Sequence, residues 1–288
     1  MRISAFLENI GQAARDAGVP MQSFLAQLKQ EGLESVYAGY PTSLKPMRQM
    51  VLGLLKAFGL PMEGVWGTVD FLSMTDEEAT EEYKAMIDCA AENGAKHVLI
   101  TPGLFHAPGS GEQTSLEEIK DRESDIRRMI RLMGEAKAYG ESVGVAVTME
   151  DYDWFTSPIA YPEVLRRFFE EIPGLKCSFD TGNFIPCDAD VMEEFAYYKD
   201  KIVALHLKDR AENDDQGGRE KNAYVTQSGR RYYPAVVGSG DMHIPEIIAE
   251  LNRSGYTGCG IIELFSSTDM ANKLVESIRW LKKNRDMT

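Results

Sequence analysis

Four residues of this chain carry side chains of the kind that hold a divalent cation, and each closes a short apolar run. They are Glu150 in VGVAVTMEDY (143–152), Asp180 in LKCSFDTGNF (175–184), His206 in KIVALHLKDR (201–210) and Glu263 in GCGIIELF (258–265). Three carboxylates and one imidazole make a mixed oxygen and nitrogen donor set suited to Mn, Mg, Co or Zn. Carboxylates clustered without a cation would repel and raise one another's pKa values, so a shared ion explains how the four could converge. Taken singly, each has a duller explanation: a strand-end histidine is often structural, and a lone acid there more often caps a loop or pairs with a base. The repetition over four consecutive runs selects the metal reading.

To present such residues together, each run must be a strand that stops at a common surface. Ile202-Val203-Ala204-Leu205 is apolar and partly β-branched, as a strand buried on both faces should be. Four more strand candidates precede these, at 3–7, 33–38, 61–68 and 97–100. Helical patterns lie at 21–30, 46–58, 75–93, 115–139, 162–171, 190–198, 244–253 and 269–283. In the second of these Met47, Met50, Val51, Leu54 and Leu55 share a face and Gly59 is the expected C-cap, while Asp76, Glu77 and Glu78 open the third where the helix dipole favours acids. Strands alternating with helices predict parallel strands joined by crossover helices. A closed barrel brings the C-terminal ends of strands five to eight around one mouth, so the expected fold is α/β, a (β/α)8 TIM barrel forming one domain over residues 1–288. The polar stretch 212–237 is expected to be a loop after strand seven, lying over that mouth.

Composition narrows the partners. The chain has 288 residues, 43% of them hydrophobic, and a net charge of −14, which argues against a phosphate-backbone or anionic-membrane binder. A neutral or polyhydroxylated small molecule stays compatible, as does one whose anionic group meets a local basic patch. MRISAFLENI lacks the features of a signal peptide and no run approaches a membrane span, so a cytoplasmic location is expected. Cys89, Cys177, Cys187 and Cys259 show no CxxC spacing and are expected to be reduced packing residues.

The series MEDYD, FDTGNF, ALHLKDR, VGSGDMHIPEII and GIIELF resembles the xylose-isomerase-like TIM-barrel superfamily of sugar phosphate isomerases and epimerases, in element order over nearly the whole chain. Its most specific portions are H-x-K-D at His206 to Asp209 and G-x-G-D at Gly238 to Asp241. The resemblance implies one divalent ion on Glu150, Asp180, His206 and Glu263, and proton abstraction next to a carbonyl with Glu150 and Glu263 as paired base and acid. One departure stands out. Many ketose 3-epimerases of the superfamily have Asp, two residues, then His on strand six, whereas this chain reads Asp180-Thr181-Gly182-Asn183. Asn183 can hydrogen-bond a substrate but cannot titrate near neutral pH. The EDYD and DTGNF pairing also resembles branches that include inosose dehydratases and C-glycoside-cleaving subunits.

The expected function is therefore a divalent-metal-dependent isomerase or epimerase, with manganese among the candidate ions, acting on a carbohydrate or polyol ketone. The alternative is a lyase of the same superfamily. An apurinic endonuclease with three zinc ions is disfavoured by the acidic charge and by only four histidines, His97, His106, His206 and His243. A non-catalytic binding barrel predicts a degraded ligand set, and this one is intact. Lys208 and Arg210 are candidates for holding a substrate anion or polarising an oxygen, against the plainer reading of a solvated pair beside Asp209. Asp209 itself is expected to position His206 or Lys208. Trp66 and Tyr152 could stack on a sugar face or simply pack the rim, and His106, in the loop 102–114, could reach the mouth. Arg230 to Tyr233 could close over substrate or contact a second copy of the chain, so a homo-oligomer stays open.

Overall fold

The computed structural model describes residues 1–107, 110–212, 223–265 and 267–288. Its parallel strands are β1 (Arg2–Phe6), β2 (Ser35–Gly39), β3 (Met62–Thr68), β4 (His97–Thr101), β5 (Ala146–Met149), β6 (Lys176–Asp180) and β7 (Ile202–Leu207). The short strands β8 (Arg210–Ala211), β9 (Tyr224–Val225) and β10 (Arg231–Pro234) follow, and then β11 (Cys259–Ile262). Strands β1 to β7 and β11 close into one barrel, with β11 pairing in parallel with both β7 and β1. The (β/α)8 expectation is met.

Around the barrel run α1 (Leu7–Asp16), α2 (Met21–Glu31), α3 (Lys45–Phe58), α4 (Asp76–Glu92), α5 (Leu116–Asp121), α6 (Glu123–Ser142), α7 (Pro162–Glu171), α8 (Val191–Tyr198), α9 (Ile244–Arg253) and α10 (Met270–Asn284). Local chemistry sets several of their ends. Thr75 and Glu78 form a reciprocal capping box that starts α4. Gly59 ends α3 in the left-handed conformation at φ 58°. The main apolar core lies between the strands and these helices, where Ile10, Leu25, Ile87, Met133, Phe168 and Leu281 are buried. A smaller cluster of Phe6, Tyr37, Leu99, Ala204, Cys259 and Ile261 is separate from it. Side chains alternate along a strand, so Phe6, Leu99 and Ala204 share their faces with Ser4, His97 and His206, and this second set fills the lumen.

Three expectations need correction. β1 passes directly into α1, because Leu7, Ile10, Ala13 and Ala14 bury a helical face, and the chain does not wait for the helix at Met21. The single helix expected at 115–139 breaks at Arg122, whose φ/ψ of −103°/32° is non-helical and whose guanidinium pairs with Glu118 and Asp125. The segment 212–237 is not plain loop: β8 and β9 flank β10 in a small antiparallel sheet. Part of that expectation, 213–222, and residues 108–109 of the loop 102–114 lie outside the described residues. Cys89, Cys177, Cys187 and Cys259 are all free thiols. Among the described residues no helix is long and apolar enough to cross a membrane.

Candidate metal centre

Period-2 alternation aims one side chain of each late strand at the same point. Thr148 and Glu150, Ser178 and Asp180, Ala204, His206 and Lys208, and Ile261 and Glu263 each share a strand face. Asp180 stands opposite His206 in the β6–β7 register, and the Glu263 N–H donates to the Leu207 carbonyl at 3.2 Å. The strands end together. As a result Glu150, Asp180 and His206 each place a donor atom within 4.8 Å of the others. His206 Nδ1 lies 2.8 Å from Glu150 Oε2 and 3.4 Å from Glu263 Oε2, so Glu263 borders the same point.

The chemistry of these contacts fits a cation. Glu150 Oε2, Asp180 Oδ2, both ring nitrogens of His206 and Glu263 Oε2 are buried with no aligned hydrogen-bond partner, although some lie close together. Buried polar atoms normally find partners, and donors that crowd without pairing are what a shared cation would satisfy. The remaining oxygen of Asp180 is fixed by the Gly182 and Asn183 N–H groups at 2.7 and 2.9 Å, which leaves Oδ2 for the site.

Lys208 is the counterweight. Its Nζ lies 2.6 Å from Glu263 Oε1, 3.2 Å from Asp153 Oδ2 and 3.5 Å from Asp180 Oδ2, and donates to Asn183 Oδ1. Burial would lower its pKa, but Asp153, Asp180 and Glu263 lift it well above the usual lysine value. Burial would likewise raise Glu263, yet Lys208 and His206 hold it down at about 2. Burial, reinforced by the neighbouring carboxylates, pushes Asp180 well up and raises Glu150 against the pull of His206 and Lys208. For His206 the burial penalty is outweighed by Glu150 and Glu263, which lift it to about 10.

A cavity of about 230 Å³ opens above these groups, lined on one side by Glu150, Asn183, Lys208 and Glu263 and on the other by Phe6, Trp66, Leu99 and Phe265. Trp66, Tyr152 and Arg210 also line it, and Trp66 is held by its Nε1 hydrogen bond to Glu8 at 3.3 Å. Arg210 is 2% exposed; its Nη2 donates to Asp153 at 3.3 Å and its guanidinium lies 3.8 Å over the Tyr224 ring, so it is not a solvated group. Two expectations fail. His106 does not line this cavity; its ring turns to Glu118 at 2.9 Å and Glu112 at 3.5 Å. Among the described residues, the hydrogen bonds and ion pairs of the Asp209 carboxylate do not include the His206 or Lys208 side chain. That carboxylate accepts N–H bonds from Gly238, Gly240, Met242 and Arg210, and so folds the G-x-G-D turn.

Sequence reasoning missed Phe6, Thr68, Leu99, Thr101, Asp153, Trp154, Tyr224 and Phe265 on the cavity wall. Asp153 lay within the MEDYD motif and was findable as the partner that two buried bases require. Tyr224 was not, since β9 is only two residues long and nothing in its sequence places it against the cavity.

A closed parallel barrel with an acid and imidazole cluster at its C-terminal mouth has the form of a barrel that binds its ligand at the strand ends. The xylose isomerase-like TIM barrel family model matches residues 6–284, and the chain belongs to that family. The inosose dehydratase of Geobacillus thermodenitrificans is 23% identical over 239 residues, covering 81% of this chain and 77% of that protein. A xylose isomerase-like TIM barrel protein from Mycobacterium smegmatis, solved in complex with magnesium, superposes with a TM-score of 0.71 at 15% identity over 99% of this chain and 96% of that one. A sugar phosphate isomerase/epimerase from Parabacteroides distasonis gives 0.68 at 14% identity over 100% and 95%. At these identities the structural likeness shows the fold.

Proposed function

We propose that this chain is a metal-dependent isomerase or epimerase that moves a proton next to the carbonyl of a small sugar or polyol ketone. The observation that carries the reading is the convergence of buried donor atoms without an aligned hydrogen bond on Glu150, Asp180, His206 and Glu263 below the mouth cavity. These four residues would hold one divalent ion. Bound there, it would supply Lewis-acid stabilisation of the negative charge that develops on the substrate's carbonyl oxygen.

The chain's own groups supply the rest. A carboxylate oxygen of Glu150 or Glu263 takes the proton from the carbon next to the carbonyl, and the other returns one, to the opposite face for epimerisation or to the neighbouring carbon for isomerisation. Lys208 and Asn183 hydrogen-bond substrate oxygens, while Trp66 and Tyr152 pack against the ring and keep water out.

A second reading, a lyase, is favoured by the sequence similarity to inosose dehydratase and by Lys208, whose ammonium beside Asn183 can protonate a departing hydroxyl. One experiment tests both. Ketoses, inososes and keto-glycosides are incubated in D2O with Mn, Mg, Co or Zn and followed by NMR. Expected is metal-dependent deuterium uptake beside the carbonyl that a chelator abolishes; an epimer or isomer as product supports the first reading and an unsaturated product the second. No exchange with any substrate, or exchange that survives chelation, defeats the proposal.

A further inference from the structure

Beside the mouth cavity lies a second one of about 410 Å³, and the two share Asp153, Trp154 and Tyr224 as a common wall. Trp154 is 55% exposed, although tryptophan usually hides most of its surface. Its ring packs at 5.2 Å and 54° against Tyr224, which is 8% exposed and lies beneath the Arg210 guanidinium. The wall is thus anchored on the reaction side and presents an aromatic face toward solvent. Beyond it, Phe155, Pro186 and Val225 make an apolar surface, with Glu112 and Gln113 supplying polar atoms. The described lining carries two acids, Glu112 and Asp153, which would repel a phosphate or carboxylate there. A neutral ring with a flat apolar face suits it.

We infer that the substrate has two rings: a neutral keto-glycoside whose carbonyl-bearing ring occupies the mouth cavity and whose second ring, aryl or pyranose, crosses the wall and stacks on Trp154. The inference rests on the mouth cavity being the reaction site. It goes beyond that reading by naming Trp154 as the residue that sets substrate length.

Calorimetry with Mg-loaded protein tests it through binding, apart from turnover. The probes are methyl and phenyl keto-glycosides of glucose and galactose, and the matching keto-disaccharides. Expected is at least tenfold tighter binding of the phenyl glycoside, the disaccharide or both over the methyl glycoside, which is about 1.4 kcal/mol. A gain confined to one of the two identifies the second ring as aryl or sugar. W154A should shrink the gain below threefold, and Val225→Arg, which crowds the second cavity with a charge, should reduce it too. Equal affinity for methyl and two-ring ligands, no binding of any two-ring ligand, or a gain that persists in W154A would overturn the inference. A failed proton-exchange assay beside an intact Trp154-dependent gain would instead defeat the proposed reaction alone.

Discussion

Two histidines project into the lumen from opposite halves of the chain, and both touch Tyr37: His97 of β4 at 5.3 Å between ring centroids and His206 of β7 at 5.2 Å. Their charge preferences are opposed. Burial, with repulsion from His206 and Arg2, pushes His97 down to about 3, whereas the carboxylates of Glu150 and Glu263 lift His206 to about 10. The same division runs through the mouth. Strands β1, β3 and β4 deliver Phe6, Trp66, Thr68, Leu99 and Thr101, while β5, β6, β7 and β11 lead into Glu150, Asn183, Lys208 and Glu263. One half builds an apolar and hydroxyl-bearing wall, the other a charged one. Neighbours, more than residue type, decide what a lumen side chain does, and an apolar wall strengthens every charge that faces it by lowering the local dielectric.

The charged half is where substitution should cost most. Glu150→Gln and Glu263→Gln keep shape but remove the proposed proton acceptor, and each should slow deuterium exchange by about 10²- to 10⁴-fold, the range of general acid–base catalysis. Circular dichroism should show the barrel still folded. Wild-type exchange in either variant would separate proton transfer from that carboxylate.

Next in size is Lys208→Met. The ammonium compensates Glu263, Asp180 and Asp153 at 2.6 to 3.5 Å, so its loss leaves buried acids without a counter-charge. Removing one partner of a buried ion pair costs on the order of 3 kcal/mol, and the metal-free variant should melt correspondingly lower. A divalent ion should recover more stability in the variant than in the wild type, because it would supply the missing positive charge. Equal gains would mean that the carboxylates and Lys208 do not share one electrostatic site.

The two halves were also unequally legible. The late strands announce themselves because each apolar run ends in an acid or histidine, and strand geometry then fixes where that residue points. Phe6 and Leu99 send no such signal, since an apolar residue on a strand reads the same whether it lines a cavity or fills a core. α1 escaped notice because Phe6 serves both as the last residue of β1 and as the cap of α1, with no Gly or Pro between them. The two-residue strands β8 and β9 are too short to carry a period. Asp209 looked like a partner for its neighbours in sequence, but its bonds go to N–H groups at Gly238, Gly240 and Met242, a tertiary arrangement that composition cannot show. His106 had an acid twelve positions ahead at Glu118, and that pairing depended on where α5 begins.

The smallest expected effect sharpens the histidine comparison. In the metal-free protein His206 has a folded pKa of about 10 against the ordinary 6.5, so its contribution to stability is complete below 6.5 and is lost as pH rises toward 10. His97 is shifted the other way, to about 3: its contribution is complete above 6.5 and is lost as pH falls from 6.5 toward 3, because the unfolded chain takes up a proton that the folded one refuses. Chemical denaturation between pH 6.5 and 5 should therefore show wild-type stability falling more steeply than that of His97→Gln, by about 1 kcal/mol per pH unit, near the limit for one proton. The comparison with the variant cancels the carboxylates that titrate in both proteins. Parallel slopes would mean that His97 accepts its proton inside the barrel, and the two halves would then differ less in polarity than their side chains suggest.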